Sequence, residues 1–181
     1  MIIKETKLKG CFIIQPQVFK DKRGYFIESF NQKAFNNATG LNIKFVQDNE
    51  SQSSKGVLRG LHYQRGEYAQ AKLVRVIKGS VLDVVIDLRP NSKTFGEQVS
   101  IELSEANKMQ FFVPRGFAHG FVVLEDKTIF SYKCDNYYNK ESESGIIYND
   151  EDLDIDWKLP NDELIISDKD LILPKLKDAR P

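Results

Sequence analysis

A chain of 181 residues with 26 Lys plus Arg against 26 Asp plus Glu is long enough to bury a core without disulfide or metal staples, and falls in the range of one domain. Its formal charge of zero excludes the broad basic footprint of a nucleic-acid binder, so any anionic ligand must be held by a local cluster of cations. The two cysteines, Cys11 and Cys134, stand in no CxxC pair and beside no closely spaced histidines, which excludes the usual structural zinc spacing and leaves two reduced thiols.

The start, Met1-Ile2-Ile3-Lys4-Glu5-Thr6-Lys7, breaks its apolar run with charge too early for a signal peptide, and no stretch approaches the ~20 apolar residues of a membrane span. A cytoplasmic address without a membrane partner is expected. Gly10 to Gln15 is the first strand-like run, and Asp21-Lys22-Arg23-Gly24-Tyr25-Phe26-Ile27-Glu28 reads as a charged turn entering a strand over Tyr25 to Phe30. Gln32 to Thr39 carries a helical pattern. Gln47-Asp48-Asn49, after Phe45-Val46, is open between a solvated turn and a functional segment.

Gly56-Val57-Leu58-Arg59-Gly60-Leu61-His62-Tyr63-Gln64 sets an Arg and a His three residues apart amid apolar neighbours. Next, Leu73, Val74, Val76 and Ile77 lead into Lys78-Gly79-Ser80, and Val81 to Leu88 returns as a second β-branched run, which predicts a hairpin. In the first of those strands Lys72, Val74 and Val76 share one face, making Lys72 a candidate for a buried, directed charge. Strand-like runs follow at Glu97 to Leu103, Gln110 to Val113, Phe121 to Leu124 and Thr128 to Cys134, separated by Gly, Pro, Asn or Asp. Ser167-Asp168-Lys169-Asp170 near the end reads as a helix cap with solvated charges.

Many short strands and little helix predict a mainly β chain: one domain over residues 1–181, folded as an antiparallel jelly-roll-like barrel with a few short helices. Such a barrel leaves an interior lined by alternate strand residues, where a small molecule can be buried.

Taken alone, Arg59 and His62 fit either a surface Arg beside a hydrogen-bonded core His, or a phosphate clamp beside a group that takes up protons near neutral pH. The second imidazole, His119, lies in Val113-Pro114-Arg115-Gly116-Phe117-Ala118-His119-Gly120-Phe121, read as a Pro- and Gly-punctuated turn. Two His far apart, with no His-x-His spacing, do not make a mononuclear metal site. Tyr132-Lys133-Cys134, followed by Tyr137-Tyr138 and Glu143, is open between strand packing and a Tyr acid with an aromatic platform.

In their order along the chain these blocks resemble the dTDP-4-dehydrorhamnose 3,5-epimerase family. The specific pieces are Leu58-Arg59-Gly60-Leu61-His62-Tyr63-Gln64 and Pro114-Arg115-Gly116-Phe117-Ala118-His119-Gly120, supported by Asp21 to Glu28, Gln47-Asp48-Asn49, Gln70 to Val76, Tyr132 to Glu143 and Ser167 to Asp170. Tyr148-Asn149-Asp150 stands where the family often has Trp-Asn-Asp, and Asn139-Lys140 replaces a commonly Pro-containing turn. The resemblance implies a cupin-like jelly roll, a homodimer with neither metal nor other cofactor, and a 4-keto-6-deoxyhexose on thymidine diphosphate as substrate. It makes His62 the base, Asp170 its orienting partner, Tyr132 the acid and Lys72 the group facing the sugar ketone. Arg23, Arg59 and His119 fall at diphosphate and sugar contacts, Glu28, Gln47, Asp48, Asn49, Glu143 and Lys169 at nucleotide or sugar positions, and Tyr138 stacks on thymine.

On this resemblance a ketone at carbon 4 acidifies the hydrogens at carbons 3 and 5, the base removes one from one face, and the acid returns a proton to the other. An epimerase inverting only one of the two carbons, or a 3,4-ketoisomerase, uses the same groups. A binding module without chemistry and a metal-dependent cupin are readings from other classes.

Overall fold

The computed structural model describes residues 1–179. In chain order the strands are β1 (Ile2–Glu5), β2 (Phe12–Gln15), β3 (Val18–Asp21), β4 (Gly24–Ile27), β5 (Gln47–Ser53), β6 (Val57–Gln64), β7 (Lys72–Lys78), β8 (Ser80–Asp87), β9 (Gln98–Ser104), β10 (Gln110–Val113), β11 (Phe117–Val123), β12 (Thr128–Cys134), β13 (Glu143–Gly145) and β14 (Ile165–Ile166). Two α-helices join them, α1 (Gln32–Thr39) and α2 (Asp168–Leu171). No helix among the described residues is long and apolar enough to cross a membrane.

One sheet runs β1-β2-β10-β7-β12-β5 and the other β13-β6-β11-β8-β9, with β14 added in parallel to β6. All other strand pairs are antiparallel, and β3–β4 forms a separate hairpin. The two sheets face each other as a mainly β jelly roll, the predicted fold class.

Three apolar layers hold it. Between the sheets lie Val74 and Val76 of β7, Val81 and Val85 of β8, Phe117 and Phe121 of β11 and Phe130 of β12. Outside the second sheet, Leu61, Leu82, Val84 and Ile86 pack against Leu153 and Trp157 of the C-terminal segment. Strand β8 is therefore buried at every residue, its odd-numbered apolar side chains inward and its even-numbered ones outward. Outside the first sheet, α1 lays Phe35 against Phe112 and Leu73, with the two rings edge-on at 5.2 Å. Asn31 caps that helix by accepting from the Ala34 N–H, and Gly40 ends it at φ 71°. Burying a side chain such as Phe35 contributes about 1.5–3 kcal/mol.

Several predicted elements shift. Residues 72–88 do form two strands, but they are not a hairpin: β7 pairs with β10 and β12, and β8 with β9 and β11. The single residue Gly79, at φ 78°, turns a corner between the sheets, and its added Cβ would stand 2.2 Å from Thr128 Oγ1. The predicted turn around Pro114 ends at Gly116, so that His119 lies within β11 rather than in a loop. Strands β5 and β6 had no counterpart among the predicted runs.

Candidate active site

The segment around Gly60 aligns two side chains that a regular strand would separate. Residues three apart on a strand face opposite ways, yet Arg59 and His62 both border one cavity of about 510 Å³. The register explains this. Arg59 pairs with Phe121 and His62 with His119, so three steps along β6 match two along β11, a β-bulge. Leu58 and Leu61, likewise three apart, both point to the outer core. Gly60 at the bulge has φ 123°, and a Cβ there would stand 2.6 Å from Gly120 Cα and 2.8 Å from His119 O. A Cβ on Gly120 would in turn meet Arg59 O at 2.7 Å. Glycine at both positions lets the two backbones approach.

His62 Nε2 lies 2.7 Å from Asp170 Oδ1, and Gly60 N–H donates to the other oxygen at 3.4 Å. Asp170 belongs to α2 and is buried, which corrects the prediction of a solvated charge at that residue, whereas Asp168 and Lys169 are exposed as predicted; Ser167 caps that helix by position only, with no side-chain bond. Burial pushes the Asp170 carboxyl up, but the His62 hydrogen bond and charge, the Gly60 N–H and Lys169 outweigh it and hold the group below the usual carboxylate range. An ionised Asp170 can only accept, so Nε2 of neutral His62 carries the hydrogen and Nδ1 carries the lone pair.

Across the cavity, on the opposite sheet, stands Tyr132 of β12. Burial pushes its phenol up, Cys134 and Glu143 add to this and Arg59 opposes it. A phenol so placed keeps its proton at neutral pH. Lys72, at the start of β7, borders the same cavity. Burial draws its amine down, opposed first by Cys134 and then by Asp83 and Glu143.

The cavity continues into a second lobe of about 250 Å³ that shares His62, Lys72, Tyr132 and Glu143 and adds Gln47, Asn49, Gln64 and Tyr138. A chain of polar contacts frames it: Tyr138 N–H donates to Gln47 Oε1 (3.1 Å), Gln47 Nε2 to Asn49 Oδ1 (3.1 Å), and Asn49 Nδ2 to Cys134 Sγ (3.7 Å). Glu143 accepts from Tyr138 Oη (3.2 Å) and Lys169 Nζ (3.3 Å). Arg59 donates from Nη2 to Ser53 Oγ (3.2 Å), and His119 borders the first lobe from β11. Eleven expected residues thus converge: His62, Tyr132, Asp170, Lys72, Gln47, Asn49, Arg59, His119, Tyr138, Glu143 and Lys169.

Three others lie elsewhere. Asp48 alternates away from Gln47 and Asn49, and its exposed carboxylate accepts from Lys133 Nζ at 2.9 Å. Arg23 sits at the tip of the β3–β4 hairpin, its guanidinium 2.6 Å from Asp21. Glu28 follows that hairpin and accepts from Asn31 Nδ2 at 3.2 Å.

One buried group escaped the sequence reading. Asp83 is fully buried between Val81 and Val85 on the inner face of β8, where its Oδ2 accepts from His119 Nε2 at 2.9 Å. The signal was present: a single carboxylate within Val81-Leu82-Asp83-Val84-Val85-Ile86, at the parity of the inward valines.

The family model for dTDP-4-dehydrorhamnose 3,5-epimerase matches residues 5–178. A protein of that name from Escherichia coli K12 is 54% identical over 170 residues, covering 94% of this chain and 91% of its own. The crystal structure of the Elizabethkingia anophelis enzyme of that name superposes with a TM-score of 0.95 at 60% identity, covering 98% of this chain and 97% of that one. A Legionella pneumophila dTDP-6-deoxy-D-glucose-3,5-epimerase, solved in complex with dTDP-4-keto-L-rhamnose, gives a TM-score of 0.95 at 46% identity, covering 99% and 94%.

Proposed function

Because the chain belongs to the dTDP-4-dehydrorhamnose 3,5-epimerase family, and so inverts carbons 3 and 5 of dTDP-4-dehydro-6-deoxy-D-glucose to give dTDP-4-dehydro-L-rhamnose, we propose that it does so with His62 as base and Tyr132 as acid on opposite faces of one sugar ring. The observation that carries this reading is the placement of a His–carboxylate dyad on one sheet and a protonated phenol on the other, both bordering a single cavity.

The substrate's own ketone supplies the activation. Loss of a hydrogen from carbon 3 or 5 leaves an anion that spreads onto the ketone oxygen, so the chemistry calls for a base, an acid and an oxyanion donor. His62 Nδ1 takes the hydrogen, and Asp170 stabilises the imidazolium that forms. Lys72 donates to the enolate oxygen, whose charge develops mainly in the transition state, so it lowers the barrier more than it tightens binding. Tyr132 then delivers a proton to the opposite face, which inverts the centre.

The remaining residues hold the nucleotide. Arg59 and His119 serve the diphosphate and sugar, Gln47, Asn49, Glu143 and Lys169 line the second lobe for nucleotide or sugar, and Tyr138, half-exposed at its rim, stacks on thymine. Holding this remote part fixes the ring between base and acid. We further propose a cytoplasmic homodimer, with residues 1–181 as one epimerase domain. The β3–β4 hairpin exposes Phe19 and Phe26, paired across the hairpin with ring centroids 6.4 Å apart, an apolar face suited to a second copy. In that dimer Arg23 and Glu28 serve the partner's site, which reconciles their substrate roles with their distance from this cavity; Asp48 keeps at most an outer-face role. Light scattering tests the dimer.

Incubation with dTDP-4-keto-6-deoxyglucose in deuterated water, followed by proton NMR, tests the whole reading. Deuterium at both carbons and the ring couplings of the L-rhamno product are expected. A product inverted at one carbon only, or with the ketone moved, makes the chain a mono-epimerase or a ketoisomerase instead.

A further inference from the structure

Resting on the reading of Tyr138 as the platform for thymine, we propose that Gln64 is a positioning residue: its side-chain amide holds the segment from Tyr137 to Asn139 before the nucleotide arrives, so that the Tyr138 ring meets the base already in place. Gln64 is the last residue of β6, two beyond His62, and is buried at the wall of the second lobe. Its Oε1 accepts from the Asn139 N–H at 2.6 Å, and its Nε2 donates to Tyr137 O at 3.1 Å and to Tyr68 O at 2.7 Å. Two of these bonds bracket Tyr138, one on either side. Both amide hydrogens are spent on carbonyls, so Gln64 has no donor left for a ligand and acts through the chain it holds.

The segment needs such a support. Residues 135–139 lie outside any strand or helix, and the side chains of Tyr137 and Tyr138 are exposed, so apolar burial does little to fix them. From the carbonyl of Tyr137 to the N–H of Asn139 the chain is held by two glutamine side chains, Gln64 and, through the Tyr138 N–H at 3.1 Å, Gln47 of the opposite sheet. The Gln64 backbone in turn pairs with Glu143 in β13, whose carboxylate accepts from Tyr138 Oη at 3.2 Å. The backbone and the ring of Tyr138 are thus both tied to one residue of the strand that carries the base. A segment left unheld is ordered only when ligand binds, and the conformational entropy lost at that moment weakens affinity.

Gln64→Met tests this, since it keeps the length of the side chain and removes all three bonds. Affinity for thymidine diphosphate, read by calorimetry, is expected to fall about tenfold and KM to rise with it, while kcat at saturating substrate stays within about threefold of wild type. In a Tyr138→Ala background the same change is expected to cost less than about threefold, because the ring it positions is gone. A loss under about threefold in the single variant overturns the inference. So does a double variant in which the two losses multiply, or a kcat that falls as far as the affinity, which marks a general distortion of β6. Tyr138→Ala, measured alone, separates the two layers: if it binds thymidine diphosphate as wild type does, the stacking reading fails. If it is weakened while Gln64→Met is not, only the role of Gln64 fails. Should Gln64→Met not give a native circular dichroism spectrum, amide hydrogen exchange of the wild type decides. Protection of the Asn139 N–H in the free protein is expected within about tenfold of that in the thymidine diphosphate complex, and a larger rise on binding shows a segment ordered by the ligand and refutes the inference.

Discussion

Replacing Asp170 by Asn removes a charge from behind His62 while leaving the shape of the group in place. The amide oxygen can still accept from His62 Nε2, which the carboxylate holds at 2.7 Å, while the amide nitrogen replaces only the oxygen that takes the longer 3.4 Å bond from the Gly60 N–H. What is lost is the anion that faces the imidazolium, and the imidazolium exists only once the ring hydrogen has moved. Asp170 is 3% exposed and His62 23%, so solvent screens this pair poorly. Breaking such a buried charge pair costs about 3–5 kcal/mol, and if that falls on the transition state kcat drops by roughly 10²–10⁴. The assay is the loss of the carbon 3 and carbon 5 proton signals in deuterated water, with KM measured in parallel. KM should hold steady, because Asp170 lies at the reacting ring and not along the nucleotide. Exchange within about threefold of wild type, or a fall that tracks weakened nucleotide binding, refutes the reasoning.

Other perturbations probe other parts of the molecule. Gly60→Ala forces a side chain to 2.6 Å from backbone at φ 123°; a loss of about 2–4 kcal/mol is expected, lowering the melting temperature by roughly 5–15 °C, and a shift under 2 °C contradicts the account of the bulge. Tyr138→Ala should weaken thymidine diphosphate by about 1–3 kcal/mol, read by calorimetry, with exchange at saturating substrate little changed. Asp87 is desolvated, which raises its carboxyl, yet bonds from Arg89, Ser92 and Thr94 hold it far below the usual carboxylate range. Its stabilisation is therefore complete above the unfolded pKa of about 3.9 and fades as pH falls toward the depressed folded value. Asp87→Asn should cost about 3 kcal/mol at pH 7 by urea denaturation and narrow the gap to wild type at pH 3; an equal gap at both pH values is the contrary result.

Local signals on the chain located much of this architecture. Helix α1 and strands β10 and β12 occupy the predicted residues because their apolar patterns are punctuated by Asn, Gly, Pro or Asp. Strand β5, Gln47–Ser53, was illegible because its seven residues are all polar, one face turned to the cavity and the other to solvent. The hairpin at Gly79 was misread because a strand–turn–strand pattern shows that the chain bends, but not which strands become its neighbours. Arg59 and His62 were read as neighbours in sequence; that they share a face depends on one extra residue in β6, which only the register with β11 reveals. Asp83 is hidden in an apolar run whose periodicity shows a buried strand but not what its single charge pairs with.

The most direct test of a base and an acid on opposite faces is deuterium exchange in two variants measured side by side. His62→Ala should show neither exchange nor inversion while still binding thymidine diphosphate. Tyr132→Phe should exchange ring hydrogens yet accumulate no L-rhamno product. Inversion at wild-type rate by Tyr132→Phe, or substantial exchange by His62→Ala, contradicts the account.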